Sequence, residues 1–93
     1  MQKKRFMYVI IVYDVNVNRV NKVCQFLRKY LNWVQNSVFE GELTKAELEK
    51  VKLGLREIID EKEDSVAFYI LPHSGVFKKV FLGVKKKDME NIF

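Results

Sequence analysis

The stretch that decides the fold is Phe6–Tyr13, FMYVIIVY. It is apolar at odd and even positions alike and rich in β-branched and aromatic residues, which marks a strand covered on both faces and set in the middle of a sheet. Immediately after it, Asp14–Asn18 (DVNVN) breaks the run. Asn18 is a good N-cap for a helix whose apolar positions Val20, Val23, Cys24, Leu27, Tyr30 and Leu31 recur at 3/4 spacing. Trp33–Leu43 (WVQNSVFEGEL) reads as strand with a polar break at Gln35–Ser37, either one bent strand or two short ones. Thr44 and Glu47 form a T-x-x-E capping box that opens a second amphipathic helix, through Leu48, Val51, Leu55, Ile58 and Ile59, to Glu61. Ser65–Leu71 (SVAFYIL) is a second strand with two apolar faces, stopped by Pro72, and Lys79–Val84 is a short last strand.

The order β-α-β(β)-α-β-β predicts an α+β, ferredoxin-like domain over residues 7–84 with an extra C-terminal strand, between a basic extension (1–6) and a basic, frayed tail (85–93). Two helices cover one sheet face only. Strands apolar on both faces want a second cover, and no remaining element supplies it. The expectation is a homodimer packed sheet to sheet, an arrangement that leaves room for the last strand to exchange across the seam.

A chain of 93 residues, 48% hydrophobic and 31% charged, has room for one core, and its modest burial makes association useful to it. The single cysteine, Cys24, excludes an intramolecular disulfide and a cysteine zinc site, and its place on the apolar helix stripe reads as a buried, inert thiol. One histidine, His73, excludes a histidine-rich metal cage; in the turn Pro72–Gly75 it reads as a surface residue. No apolar run approaches the ~20 residues that span a bilayer, and Met1–Phe6 leads into no cleavage site, so a cytoplasmic protein without membrane contact is expected. The net charge of +5 is unevenly spread: residues 1–35 carry seven Lys/Arg and one acid, 36–64 five and nine, 65–93 five and two. Basic ends on one side of the fold would suit a polyanion; an ordinary solvated surface accounts for the same counts.

Most catalytic constellations are missing. The four glycines form no phosphate cradle, and no nucleophile elbow or Cys-His pair occurs. Asp14 stands apart as the only acid in the first 39 residues, placed where an apolar strand ends. Its carboxylate there needs a partner, which is either the backbone amides of a turn over Val15–Asn18 or a cation. One carboxylate is a poor magnesium site, but two copies meeting at a two-fold axis would supply a pair.

Tyr8–Val15 (YVIIVYDV) before a helix, Val34–Gly41 (VQNSVFEG) before a T-x-x-E-capped helix, then Phe68–Leu71 (FYIL) and Val80–Gly83 (VFLG), resemble the CRISPR-associated protein two family from Met7 to Val84. The resemblance implies a ferredoxin-like homodimer in which Asp14 faces its twin and the pair binds Mg²⁺ or a similar divalent ion. It implies a CRISPR adaptation protein that works with the spacer integrase, described in the family either as a metal-dependent endonuclease on single-stranded RNA or double-stranded DNA, or as a non-catalytic DNA-binding scaffold. Tyr13 precedes the aspartate as the family pattern has it, and the resemblance counts it with Asp14 and Ser37 as catalytic. Ser37 and Phe39 match its S-V-F, the serine serving near the scissile phosphate or capping the bend, the phenylalanine touching substrate or filling the core. Many members carry an arginine just before the strand with S-V-F, a neighbourhood where this chain has Trp33, which leaves Arg19 and Arg28 as the nearest candidates for phosphate contacts. Lys78, Lys79, Lys85, Lys86 and Lys87 add basic charge for a nucleic-acid backbone, and Lys3, Lys4 and Arg5 form a basic arm or a solubilising tail. A sheet-face RNA-binding domain would instead expose Tyr8 or Tyr69 on an uncovered face.

Overall fold

The computed structural model describes residues 5–71 and 78–83. Five strands form one antiparallel sheet in the order β2-β3-β1-β4-β5: β1 (Phe6–Asp14), β2 (Asn32–Gln35), β3 (Val38–Thr44), β4 (Ser65–Leu71) and β5 (Lys78–Gly83). Two helices, α1 (Val17–Leu27) and α2 (Lys45–Ile58), complete the fold. The FMYVIIVY run lies in β1, the central strand, with β3 and β4 antiparallel on either side. This is the expected ferredoxin-like order, and the extra C-terminal strand lies beside β4 of its own chain.

Alternation along β1 sorts the side chains. Val9, Ile11 and Tyr13 join Phe39, Val66, Phe68 and Ile70 in a core closed by Val23 and Leu27 of α1 and Leu48, Val51 and Leu55 of α2. The predicted stripe of α1 is therefore its buried face, continued past the helix end by Leu31, whose N–H donates to Leu27 O. Thr44 and Glu47 make the expected reciprocal cap of α2, with Thr44 N–H on Glu47 Oε1 (2.8 Å) and Glu47 N–H on Thr44 Oγ1 (3.2 Å).

Three boundaries differ from the sequence reading, and one alternative it left open is decided. The N-cap of α1 is Asn16, not Asn18: the Asn16 carbonyl oxygen of the side chain accepts the Asn18 N–H at 2.9 Å, and the helix starts a half-turn earlier. The helix α2 stops at Ile58 instead of Glu61 because Ile59 is already extended and 60–64 fold into a turn. Residues 33–43 are two strands, joined by a two-residue turn at Asn36 and Ser37 in which Asn36 takes a positive φ of 42°. The last strand begins at Lys78; Val84, the basic segments 1–4 and 85–93, and His73 lie outside the described residues.

The second sheet face is less bare than two helices alone would leave it. Val12, Ala67 and Tyr69 are buried there, with Ile10 and Val38 packed on them. Phe6 (45%), Tyr8 (39%) and Leu71 (39%) remain exposed. Tyr69 is thus no open-face aromatic, and the Tyr8 hydroxyl is engaged by Glu40. Among the described residues no helix is long and apolar enough to cross a membrane.

Candidate nucleic-acid site at the end of the central strand

Asp14 is the last residue of β1, exposed, and directly opposite Ser65 in the ladder to β4. Alternation puts it on the second sheet face with Ile10 and Val12, whereas Tyr13 turns to the helices. It opens into a polar cleft of about 220 Å³ lined by Asp14, Val15, Asn16, Glu63 and Asp64. The β2–β3 turn lies at the same end of the sheet, because the Tyr13 N–H donates to Ser37 O at 3.1 Å. Sequence positions 14 and 37, far apart in the chain, are so brought to one rim.

Tyr13 does not join them. Its side chain is buried, its hydroxyl lies 3.1 Å from Cys24 Sγ, and burial pushes its ionisation well above the ordinary phenol value, with the Cys24 contact reinforcing the shift. A phenol so placed is a packing group. Phe39 is fully buried, 6.0 Å from the Tyr13 ring centroid, which fits the core alternative and no substrate contact. Arg28 is exposed just past α1, as its C-cap residue. The side chains of Lys78 and Lys79, and all of Lys85, Lys86 and Lys87, lie outside the described parts of the chain.

The residue that sequence reasoning missed is Asp64. It sits in the charged turn EKED, which reads as solvated, yet it is fully buried. Its Oδ1 accepts from Asn16 N–H (2.9 Å) and Arg19 Nη2 (3.0 Å), and its Oδ2 from Asp60 N–H (2.8 Å) and Arg19 Nε (2.7 Å). This bidentate pair and the two amides hold the carboxyl down at about 2 against its ordinary 3.8, Arg19 being the largest cause. Arg19, a sequence candidate for gripping phosphate, is thereby committed to the protein itself, with Glu63 a further 3.9 Å contact. Asp64 ties the start of α1 to the start of β4, the two segments that flank Asp14. The one available signal was that the acid of E-K-E-D nearest the strand directly precedes an apolar run.

Could the cleft hold a divalent ion within one chain? Asp64 is taken up by Arg19, and among the described residues no three His, Cys, Asp or Glu side chains are grouped to hold a metal. Hard carboxylate oxygens suit magnesium, but the donor set of a single copy is short.

A family model described as CRISPR associated protein Cas2 matches residues 7–79. The chain belongs to the Cas2 family. It is 62% identical over 86 residues to the CRISPR-associated endoribonuclease Cas2 of Methanocaldococcus jannaschii, covering 92% of this chain and 75% of that one. With the Cas2 endoribonuclease of Thermotoga maritima the identity is 55% over 87 residues, covering 94% and 100%. Among solved structures, one titled "Crystal structure of cas2" superposes with a TM-score of 0.70 at 50% identity, covering 88% of this chain and 92% of that one. As a Cas2 protein the chain is CRISPR-associated, and the resemblance read from YVIIVYDV and VQNSVFEG is that of its family.

Proposed function

We propose that two copies of this chain form a metal-dependent endonuclease that cleaves RNA, with Asp14 of each copy contributing to one shared divalent-ion site. The observation that carries the reading is the position of Asp14: an exposed carboxylate at the end of the central strand, on the sheet face away from the helices, at the mouth of a polar cleft. A face-to-face pair would bring the second Asp14 that one chain lacks. Magnesium held by the two carboxylates would activate water and stabilise charge developing at phosphorus. The chain's own residues set the frame: Asp64 and Arg19 fix the loop after Asp14, and the turn carrying Ser37 is hydrogen-bonded alongside. Arg28 is available to a phosphate. The names of the relatives, endoribonucleases, supply the substrate class.

A second reading is favoured by the lack of a grouped set of acidic ligands among the described residues: a DNA-binding scaffold beside the spacer integrase, in which basic charge grips duplex backbone and the partner does the chemistry. Asp14→Asn separates the two, since asparagine keeps the side-chain shape and removes the charge. For a nuclease, Mg²⁺-dependent cleavage of single-stranded RNA falls about 100-fold or more with oligomeric mass and nucleic-acid affinity retained. Unchanged cleavage would end the Asp14 assignment. Absence of cleavage in wild type and mutant alike, with spacer integration near wild-type level in both, would establish the scaffold.

A further inference from the structure

The edge strand β2 is exposed at all four positions, and its Trp33 is 54% exposed. An exposed tryptophan is usually loose, but this one is held: its Nε1–H donates to Asn36 O at 3.0 Å, in the turn where Asn36 takes a positive φ. The indole therefore keeps its orientation while much of its surface faces water. The chain that leads to it is basic, although Glu40 of β3 pairs with the neighbouring Asn32 and Arg19 is already matched by Asp64. Residues 15–39 contain Arg19, Lys22, Arg28 and Lys29 and no acid, and Arg28 and Lys29 are exposed five and four residues before Trp33. The register Trp33–Phe39–Ile11 places it three residues along and two strands across from Asp14, roughly 14 Å between backbones. Trp33 is on the helix side of the sheet edge and Asp14 on the other face, so that a strand touching both passes round the rim. The turn carrying Ser37 lies between them.

We propose that Trp33 is a stacking platform for an unpaired base of the RNA, holding the strand a few nucleotides from Asp14. The inference rests on the nucleic-acid reading above and adds the residue that grips a base where the other groups meet only phosphate. A protein partner would also value an exposed tryptophan, but the exposed Arg28 and Lys29 that precede it, in a segment of chain (15–39) without an acid, favour a polyanion. Stacking uses the π-face that every base has, so the contact is sequence-tolerant and is lost when the base is removed.

Trp33 is the only tryptophan of the chain, so its emission reports the contact directly. The full-length protein, without divalent ions so that no RNA is cut, is titrated with a fluorescein-labelled single-stranded oligouridylate and with an abasic oligomer of equal length. Label anisotropy reports binding, and unlabelled oligomers report Trp33 emission. The expected result is quenching by the RNA and little by the abasic strand. Trp33→Ala weakens RNA affinity about tenfold while Trp33→Phe, which retains an aromatic face, loses about threefold or less. RNA binding with unaltered Trp33 emission, or equal quenching by the abasic strand, would overturn the proposal and leave the nucleic-acid reading standing. An emission maximum that moves with protein concentration alone would put Trp33 between copies and overturn it too. No RNA binding by anisotropy would refute both. If Trp33→Ala fails to fold, the wild-type emission and the Trp33→Phe affinity decide.

Discussion

At the scale of single residues, Asp64 governs how the candidate site is held. Its side chain is 1% exposed and that of Arg19 24%, so the pair is shielded on one side and wet on the other. Because the folded carboxyl is held at about 2 and its ordinary value is 3.8, its contribution is fully present above pH 4 and disappears as pH falls from about 4 to 2. Allowing for the screening at Arg19, that contribution is about 1–2 kcal/mol. Urea unfolding at pH 7, 4 and 2 should show the wild type losing stability across the lower interval, with Asp64→Asn less stable at pH 7 and flatter below pH 4. Parallel curves for the two proteins would remove Asp64 from that role. This residue was illegible in the sequence for a physical reason. Its partner is 45 positions away, and nothing local separates a buried acid in E-K-E-D from its solvated neighbours. The place of Asp14 at the strand end was legible because it is alone among apolar and basic residues.

At the scale of elements, the two helices meet closely at Gly54. A Cβ there would lie 2.1 Å from Cζ of Phe26, whose ring is tilted against Tyr30 at a centroid distance of 5.5 Å. In an isolated helix Gly→Ala would gain about 1 kcal/mol. Here the Phe26 ring must leave its place, and Gly54→Ala should instead destabilise by about 1–2 kcal/mol. In a Phe26→Ala background the same change should stabilise, and a double-mutant cycle by urea unfolding reads the reversal of sign. The elements themselves were readable wherever apolar periodicity or a cap spoke: β1, β4, the stripe of α1 and the Thr44–Glu47 box are as the residues imply. The ends were not. Asn16 and Asn18 are equally good caps in VNVN, and only the folded loop, with Asp64 gripping Asn16 N–H, selects the first. The helix α2 could have run on through 59–61 by composition, but the hydrogen bonds of Asp60 and Asp64 close a turn instead.

At the scale of the whole molecule, the proposed site requires two chains. The second sheet face carries exposed Phe6, Tyr8 and Leu71 beside the buried cluster of Val12, Ala67 and Tyr69, and Asp14 ends the same face. A pair would have a mass of about 22 kDa, twice the 11.1 kDa of one chain, and light scattering at micromolar concentration should return that mass for both wild type and Asp14→Asn. One cleavage site then needs an Asp14 from each copy, and mixing tests that need directly. Wild type and Asp14→Asn are unfolded together in chosen ratios, refolded so that copies pair at random, and assayed for Mg²⁺-dependent RNA cleavage. If the site is shared, mixed pairs are inactive and an equal mixture retains about a quarter of the wild-type rate, activity following the square of the wild-type fraction. An equal mixture retaining about half, with activity linear in the wild-type fraction, would mean that each chain carries its own complete site and would contradict a shared one.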